Sequence, residues 1–181
     1  MNWIFGDNIN TDLITPGRYN ITTNPQELSE IAFIEHRPEF SKQVKKGDFI
    51  TAGNNFGSGS SRETAVIALK QSGIKAIFAR SFARIFYRNA LNQGLLTIAT
   101  KVSDVKQDDV LELDLTRKIL INKTQHTQTK LEIPALLLKL HRAGGIVKYL
   151  NKHGLNSIES LFVTGSQPVL KTYKIGSRKV R

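Results

Sequence analysis

The spacing of apolar residues along the first hundred positions changes in a regular order. Asn24-Pro25 followed by Glu27, Leu28, Ile31, Ala32 and Ile34 predicts a short helix with an Asn cap and Pro at its first position. Lys46-Gly47-Asp48 then turns into a strand, Phe49-Ile50-Thr51-Ala52. The stretch from Gly53 to Ser61 is too rich in Gly, Asn and Ser for regular structure. After it the period becomes helical from Arg62 to Ser72, ended by Gly73, and Ala65 to Leu69 are so nearly continuous that this helix must be mostly buried. Ile74 to Ala79 is a strand. Phe82, Ile85, Phe86 and Ala90 define the next helix, stopped near Gly94, and Leu95 to Ala99 is a strand again. Such β-loop-α-β-α-β alternation argues an α/β fold whose sheet is covered by helices, with strands at least partly parallel.

Beyond residue 100 the pattern differs. Asp109 to Leu115 alternates, Lys118 to Asn122 follows the turn Thr116-Arg117, and Gln128 to Ile133 supplies a third strand of an antiparallel meander. Pro134 opens a helix through Leu140 that meets Gly144-Gly145, and a second short helix runs to Lys152 before Gly154. No internal repeat interrupts this order. At 181 residues and 40% hydrophobic, the chain suits one compact domain able to bury roughly two thirds of its unfolded surface. Its apolar runs are far short of the ~20 residues of a membrane span. The start, Met1 to Asp7, lacks the basic and apolar regions of a signal peptide, so a cytoplasmic protein is expected.

Charge and cysteine content narrow the chemistry. The net charge is +11, with 11 basic against 8 acidic residues up to position 100 and 15 against 7 after it. Lys171, Lys174, Arg178, Lys179 and Arg181 close the chain without a nearby acid, so residues 155–181 read as a basic, mobile extension. The closing stretch 171–181 admits RNA as a partner but does not favour it, because Tyr173 is its one aromatic residue. With no Cys, the chain offers no thiolate nucleophile and no self-held iron-sulfur cluster, and its four His show no metal-binding spacing. No metal ligands are assigned.

The glycine-rich turn before a helix is the most informative feature. Gly57 and Gly59 let the backbone approach a ligand, and the following helix start supplies free N–H groups and positive potential. Arg62 offers a planar fork for a carboxylate, while Ser60 or Ser61 at the helix start could act as base or nucleophile. The competing reading is a capping box, with Ser60 as cap and Glu63 reaching back. Asp7 and Asp12 could orient an active group or simply hold their own turn. Arg80, Arg84 and Arg88 share one helical stripe, most simply a solvated face and otherwise a surface for an acidic partner.

Three ordered segments carry more together than apart: Gly6-Asp7-Asn8-Ile9-Asn10-Thr11-Asp12-Leu13-Ile14-Thr15-Pro16-Gly17-Arg18-Tyr19, Asn54-Asn55-Phe56-Gly57-Ser58-Gly59-Ser60-Ser61-Arg62-Glu63, and Ser81 to Asn89. They resemble the small subunits of the 3-isopropylmalate dehydratase and homoaconitase family, over roughly residues 3 to 152. The resemblance implies a β/β/α layered swivelling domain with a mixed sheet over residues 1–154, and a large partner subunit that holds a 4Fe-4S cluster. It implies a heterodimeric hydro-lyase of leucine biosynthesis in which the cluster's open iron binds the substrate hydroxyl and carboxylate. Ser60 maps to the serine base and Arg62 to the carboxylate-binding arginine, with Ser61 beside it. Ile21 and Thr22 fall in the family's specificity loop, and Thr11 and Asp12 are expected to stand behind the active groups.

The chain departs from the family's common residues at Ser58, Thr64 and Asn20, where Cys, His and Leu are usual. Where relatives acting on a substrate with an extra carboxylate have Arg, this chain has Ile21, which favours a branched apolar substituent. The alternatives are a related hydro-lyase subunit for another hydroxy diacid, and a non-catalytic RNA-binding swivelling domain.

Overall fold

The computed structural model describes residues 1–102 and 105–157. Four strands, β1 (Asn2–Ile4), β2 (Phe49–Ala52), β3 (Ala76–Ala79) and β4 (Leu96–Ala99), form a wholly parallel sheet in that order. A second sheet is an antiparallel meander of β5 (Leu111–Asp114), β6 (Ile119–Asn122) and β7 (Thr127–Lys130). The two pairing modes, expected within one mixed sheet, are thus divided between two sheets. Connection length explains the division: the short turn at Thr116-Arg117 can only return the chain antiparallel, while parallel neighbours need a crossover element between them.

Side-chain alternation along the central strands builds the layers. Trp3, Ile50, Ile77 and Ala79 face one buried cluster together with Val66, Leu69, Phe86 and Phe33. Phe49, Phe78, Leu96 and Ile98 face the other, against Leu113, Leu120 and Ile133. Helices α4 (Glu63–Gln71) and α5 (Arg84–Gln93) therefore cover one face of the parallel sheet and the meander covers the other. This is the β/β/α order expected. Helix α6 (Ala135–Ala143) adds Leu137 and Leu138 to the second cluster, and α7 (Ile146–His153) packs through Tyr149 against Leu140.

The chain also contains elements too short to announce themselves, α1 (Thr11–Ile14), a 3-10 turn (Gly17–Tyr19) and α3 (Glu39–Gln43), besides the three-residue β1. Helix α2 (Pro25–Glu30) starts as expected, with Asn24 Oδ1 accepting from the Gln26 N–H at 2.9 Å. It ends before Ile34 because Phe33 takes φ +57° and donates its N–H to the Ile14 carbonyl. A tertiary hydrogen bond overrides the helical spacing there. Helix α5 begins only at Arg84, so Arg80 and Phe82 precede it and the three-arginine stripe shrinks to Arg84 and Arg88. The basic extension expected at 155–181 lies outside the described residues from position 158 onward.

The connections leaving β1, β2 and β3 all emerge at the carboxyl end of the parallel sheet, as residues 5–12, 53–62 and 80–83. That edge is where open parallel sheets place ligands. Phe78, fully buried between the sheets beside Phe49, tests the layering. Phe78→Ala should cost about 3–5 kcal/mol in a denaturant titration, and a loss under about 1 kcal/mol would contradict the two-sheet core.

Candidate functional site

The 53–62 connection is fixed from both sides. On one side Gly53 N–H donates to the Gly6 carbonyl and Asn8 N–H to the Asn54 carbonyl. The Asp7 carboxylate accepts from the Asn54 backbone N–H at 2.6 Å and from its side-chain amide at 3.2 Å. On the other side Ser81 Oγ accepts from the Asn55 N–H at 2.8 Å, and Ala83 N–H donates to the Phe56 carbonyl at 2.9 Å. Phe56 is buried edge-on against Phe82 and Phe86. It anchors the loop in the core.

Next the chain makes its glycine turn. Gly57 N–H donates to the Ile9 carbonyl at 2.6 Å, and Thr11 N–H donates to the Ser58 carbonyl at 2.8 Å. Gly57 has φ +78° and a Cβ there would lie 2.1 Å from Phe86 Cγ; at Gly59, φ +91°, it would lie 3.2 Å from Thr11 Oγ1. Both the left-handed backbone and the missing side chain are required.

This turn delivers Ser60 to the surface with its Oγ 3.2 Å from the Oγ1 of Thr11, which is 1% exposed. Thr11 Oγ1 also lies 3.3 Å from the Ser60 carbonyl, to which it can donate. Arg62 Nη1 donates to the Asp12 carboxylate and, at 3.1 Å, to the Thr15 carbonyl. Both hydrogens of Nη1 are thereby used, and among the described residues no acceptor takes those of Nε and Nη2. The Arg62 side chain is 25% exposed. Gly17 lies against it, where a Cβ would stand 3.4 Å from Nη2.

The capping-box reading does not hold. Helix α4 has Arg62 as its N-cap residue with no side-chain cap bond, so Ser60 and Ser61 lie outside the helix start. Glu63 instead accepts from Gln93 Nε2 at 2.7 Å. A partner from another element, Thr11, holds Ser60 instead of a cap bond. Ser61 is exposed beside it.

Ile21 and Thr22 follow the 3-10 turn that begins next to Arg62. Ile21 is 89% exposed, and Thr22 Oγ1 accepts from the Asn24 N–H at 3.0 Å. Among the described residues no hydrogen bond links either one to Ser60 or Arg62. The spacing argument missed Asn10, which caps α1 and bridges to Ser58, and the Thr15 carbonyl on Arg62. An Asn before Thr11-Asp12-Leu13 is a cap signal that could have marked α1. Among the described residues no three His, Cys, Asp or Glu side chains could hold a metal ion.

A model of the aconitase C-terminal domain matches residues 4–103. The chain belongs to the aconitase C-terminal domain family. It is 48% identical over 155 residues to 3-isopropylmalate dehydratase small subunit 1 of Thermotoga maritima, covering 84% of this chain and 93% of that one. It is 47% identical over 152 residues to the methanogen homoaconitase small subunit of Methanocaldococcus jannaschii, covering 83% and 89%. A crystal structure of 3-isopropylmalate dehydratase from Methanocaldococcus jannaschii superposes with a TM-score of 0.81 at 45% identity, over 88% of this chain and 96% of that one. Among the described residues the buried side-chain oxygens Asn20 Oδ1 and Thr64 Oγ1 have no hydrogen-bond partner. Ser58 takes part in the site through its backbone carbonyl.

The clamp on this aconitase-family loop depends on pH. Hydrogen bonds from the Asn54 backbone and then its side chain hold the Asp7 carboxyl below the usual carboxylate value of 3.8. A pKa depressed by folding stabilises the folded state above the unfolded value and loses that contribution as pH falls through the folded one. Amide exchange at Asn54 should therefore accelerate as pH is lowered below about 4, beyond the intrinsic trend, and Asp7→Asn should abolish the extra acceleration. An unchanged pH profile in that variant would remove Asp7 as the clamp.

Proposed function

We propose that this chain is the small subunit of a two-subunit, cytoplasmic hydro-lyase that interconverts 2-isopropylmalate and 3-isopropylmalate by dehydration and rehydration in leucine biosynthesis. One observation carries the reading: an exposed Ser60 hydroxyl two residues from a guanidinium whose Nη1 is anchored and whose Nε and Nη2 remain to grip a carboxylate. The names and 46–48% identities of the dehydratase small subunits support it. Among the described residues no helix is long and apolar enough to cross a membrane. Residues 1–154 form the swivelling domain in this reading.

The chemistry assigned to this chain is proton transfer and positioning. Arg62 binds a substrate carboxylate, with Ser61 beside it, and Asp12 and the Thr15 carbonyl hold the guanidinium in plane. Ser60 Oγ takes a proton from the carbon adjacent to the hydroxyl-bearing one, and the C–H electron pair becomes the double bond. Release of the hydroxyl belongs to the partner. Thr11 has one hydroxyl proton and two acceptors within reach, the Ser60 carbonyl and Ser60 Oγ. Turning that proton to Oγ stabilises the ionised base, in a site whose closure excludes water. The chain has no Cys, and among the described residues no three His, Asp or Glu side chains could hold a metal ion, so these residues do not fit a 4Fe-4S cluster. The cluster is assigned to the large subunit.

Ile21 and Thr22 are assigned to substrate selection. A solvent-exposed Ile21 cannot pair a carboxylate and would desolvate one, whereas it covers an isopropyl group well. The methanogen homoaconitase small subunit at 47% identity keeps a second reading open, a hydroxy diacid or triacid of another pathway. Direct competition between isopropylmalate and a tricarboxylate homologue separates the two.

The assay is anaerobic reconstitution with the cluster-bearing large subunit. Ser60→Ala should collapse kcat with KM nearly unchanged, and full activity would refute the base. Arg62→Lys should mainly raise KM, because the two-pronged contact is lost. Thr11→Val should lower kcat about 10- to 100-fold, the worth of a hydrogen bond to a charged group, and Thr11→Ser should restore it.

A further inference from the structure

We infer that the outer face of the first turns of α5, Arg84, Ile85 and Arg88, is a docking surface for a carboxylate-bearing segment of the large subunit. The inference rests on the two-subunit reading above and adds the place of contact. A cleft of about 620 Å³ runs between the glycine turn and α5, lined by Gly57, Ser58, Gly59, Arg84, Ile85 and Arg88 among others. The cleft is thus continuous with the loop that presents Ser60.

Its chemistry is unfinished in the free chain. Arg18, Arg37, Arg62 and Arg117 each pair with a carboxylate. Among the described residues neither Arg84 nor Arg88 does, although both are exposed. Helix α5 has no acidic residue in its first turn and no side-chain cap at Ala83. Arg84 therefore sits where the helix dipole favours an anion, next to uncapped N–H groups, and a docked carboxylate would relieve that opposition. Between the two arginines in sequence, Ile85 is 46% exposed. An apolar centre flanked by unpaired arginines is the composition of a protein interface, where arginine is enriched and lysine depleted. The one aromatic ring lining the cleft, Phe82, is half-buried and packed against Phe56 and Phe86, which disfavours base stacking and so single-stranded RNA as the occupant.

Affinity for the purified large subunit, measured by calorimetry at several salt concentrations, tests this without turnover. Arg84→Glu/Arg88→Glu should weaken binding by about tenfold or more, mostly through slower association, and should flatten its salt dependence. Lys130→Glu/Arg142→Glu, an equal charge change on β7 and α6, should leave binding within about twofold. Ile85→Ser should also weaken it, and circular dichroism should show each variant folded. Equal weakening by both charge pairs, or weakening by neither, overturns the assigned surface. Ser60→Ala should bind at native affinity. Failure of the unaltered chain to bind the large subunit would overturn the two-subunit reading itself, and the docking surface with it.

Discussion

The absence of two side chains, at Gly57 and Gly59, is the constraint on which the site depends. A methyl group at Gly57 would enter the Phe86 ring, and one at Gly59 would press on the Thr11 hydroxyl. Because neither is there, the chain after β2 passes close enough to residues 9–11 for Gly57 and Ser58 to bond them through the backbone. Every later contact follows from that approach. Thr11 meets Ser60 across 49 positions of sequence and Asp12 meets Arg62 across 50, so two distant segments hold each other in register.

The layered fold places this junction at the edge of the parallel sheet. Parallel pairing sends the ends of β1, β2 and β3 to the same side, and the loops that follow carry Asp12, Ser60 and the approach to Arg84. The antiparallel meander packs on the opposite face from α4 and α5 and supplies bulk rather than chemistry. Its role is to bury Phe49, Phe78 and Leu96 so that the strands beneath the loops are rigid.

Much of the architecture was legible in the spacing of residues. The strand Phe49–Ala52 was predicted to the residue, α4 and β3 within a few positions, and the stops at Gly73 and Gly94 from glycine alone. Short elements escaped, because three residues of β1 or four of α1 complete no hydrophobic period. The end of α2 and the start of α5 were misplaced because long-range hydrogen bonds, from Phe33 to Ile14 and from Ala83 to Phe56, decide them.

The site divides the same way. Local chemistry in the sequence was enough to raise Ser60, Ser61 and Arg62 as candidates, since a glycine turn, a hydroxyl and a planar cation are recognisable by type and order, but the same residues also read as a capping box. Whether Ser60 caps a helix or stands free cannot be read from Ser60-Ser61-Arg62-Glu63, because both states use the same four residues. Only the folded chain decided it, by bringing Thr11 to the serine, Asp12 and Thr15 to the arginine, and Gln93 to Glu63. Those partners lie 30 to 50 positions away, and hydrogen bonds over such separations are set by how strands and helices pack, which no local pattern encodes.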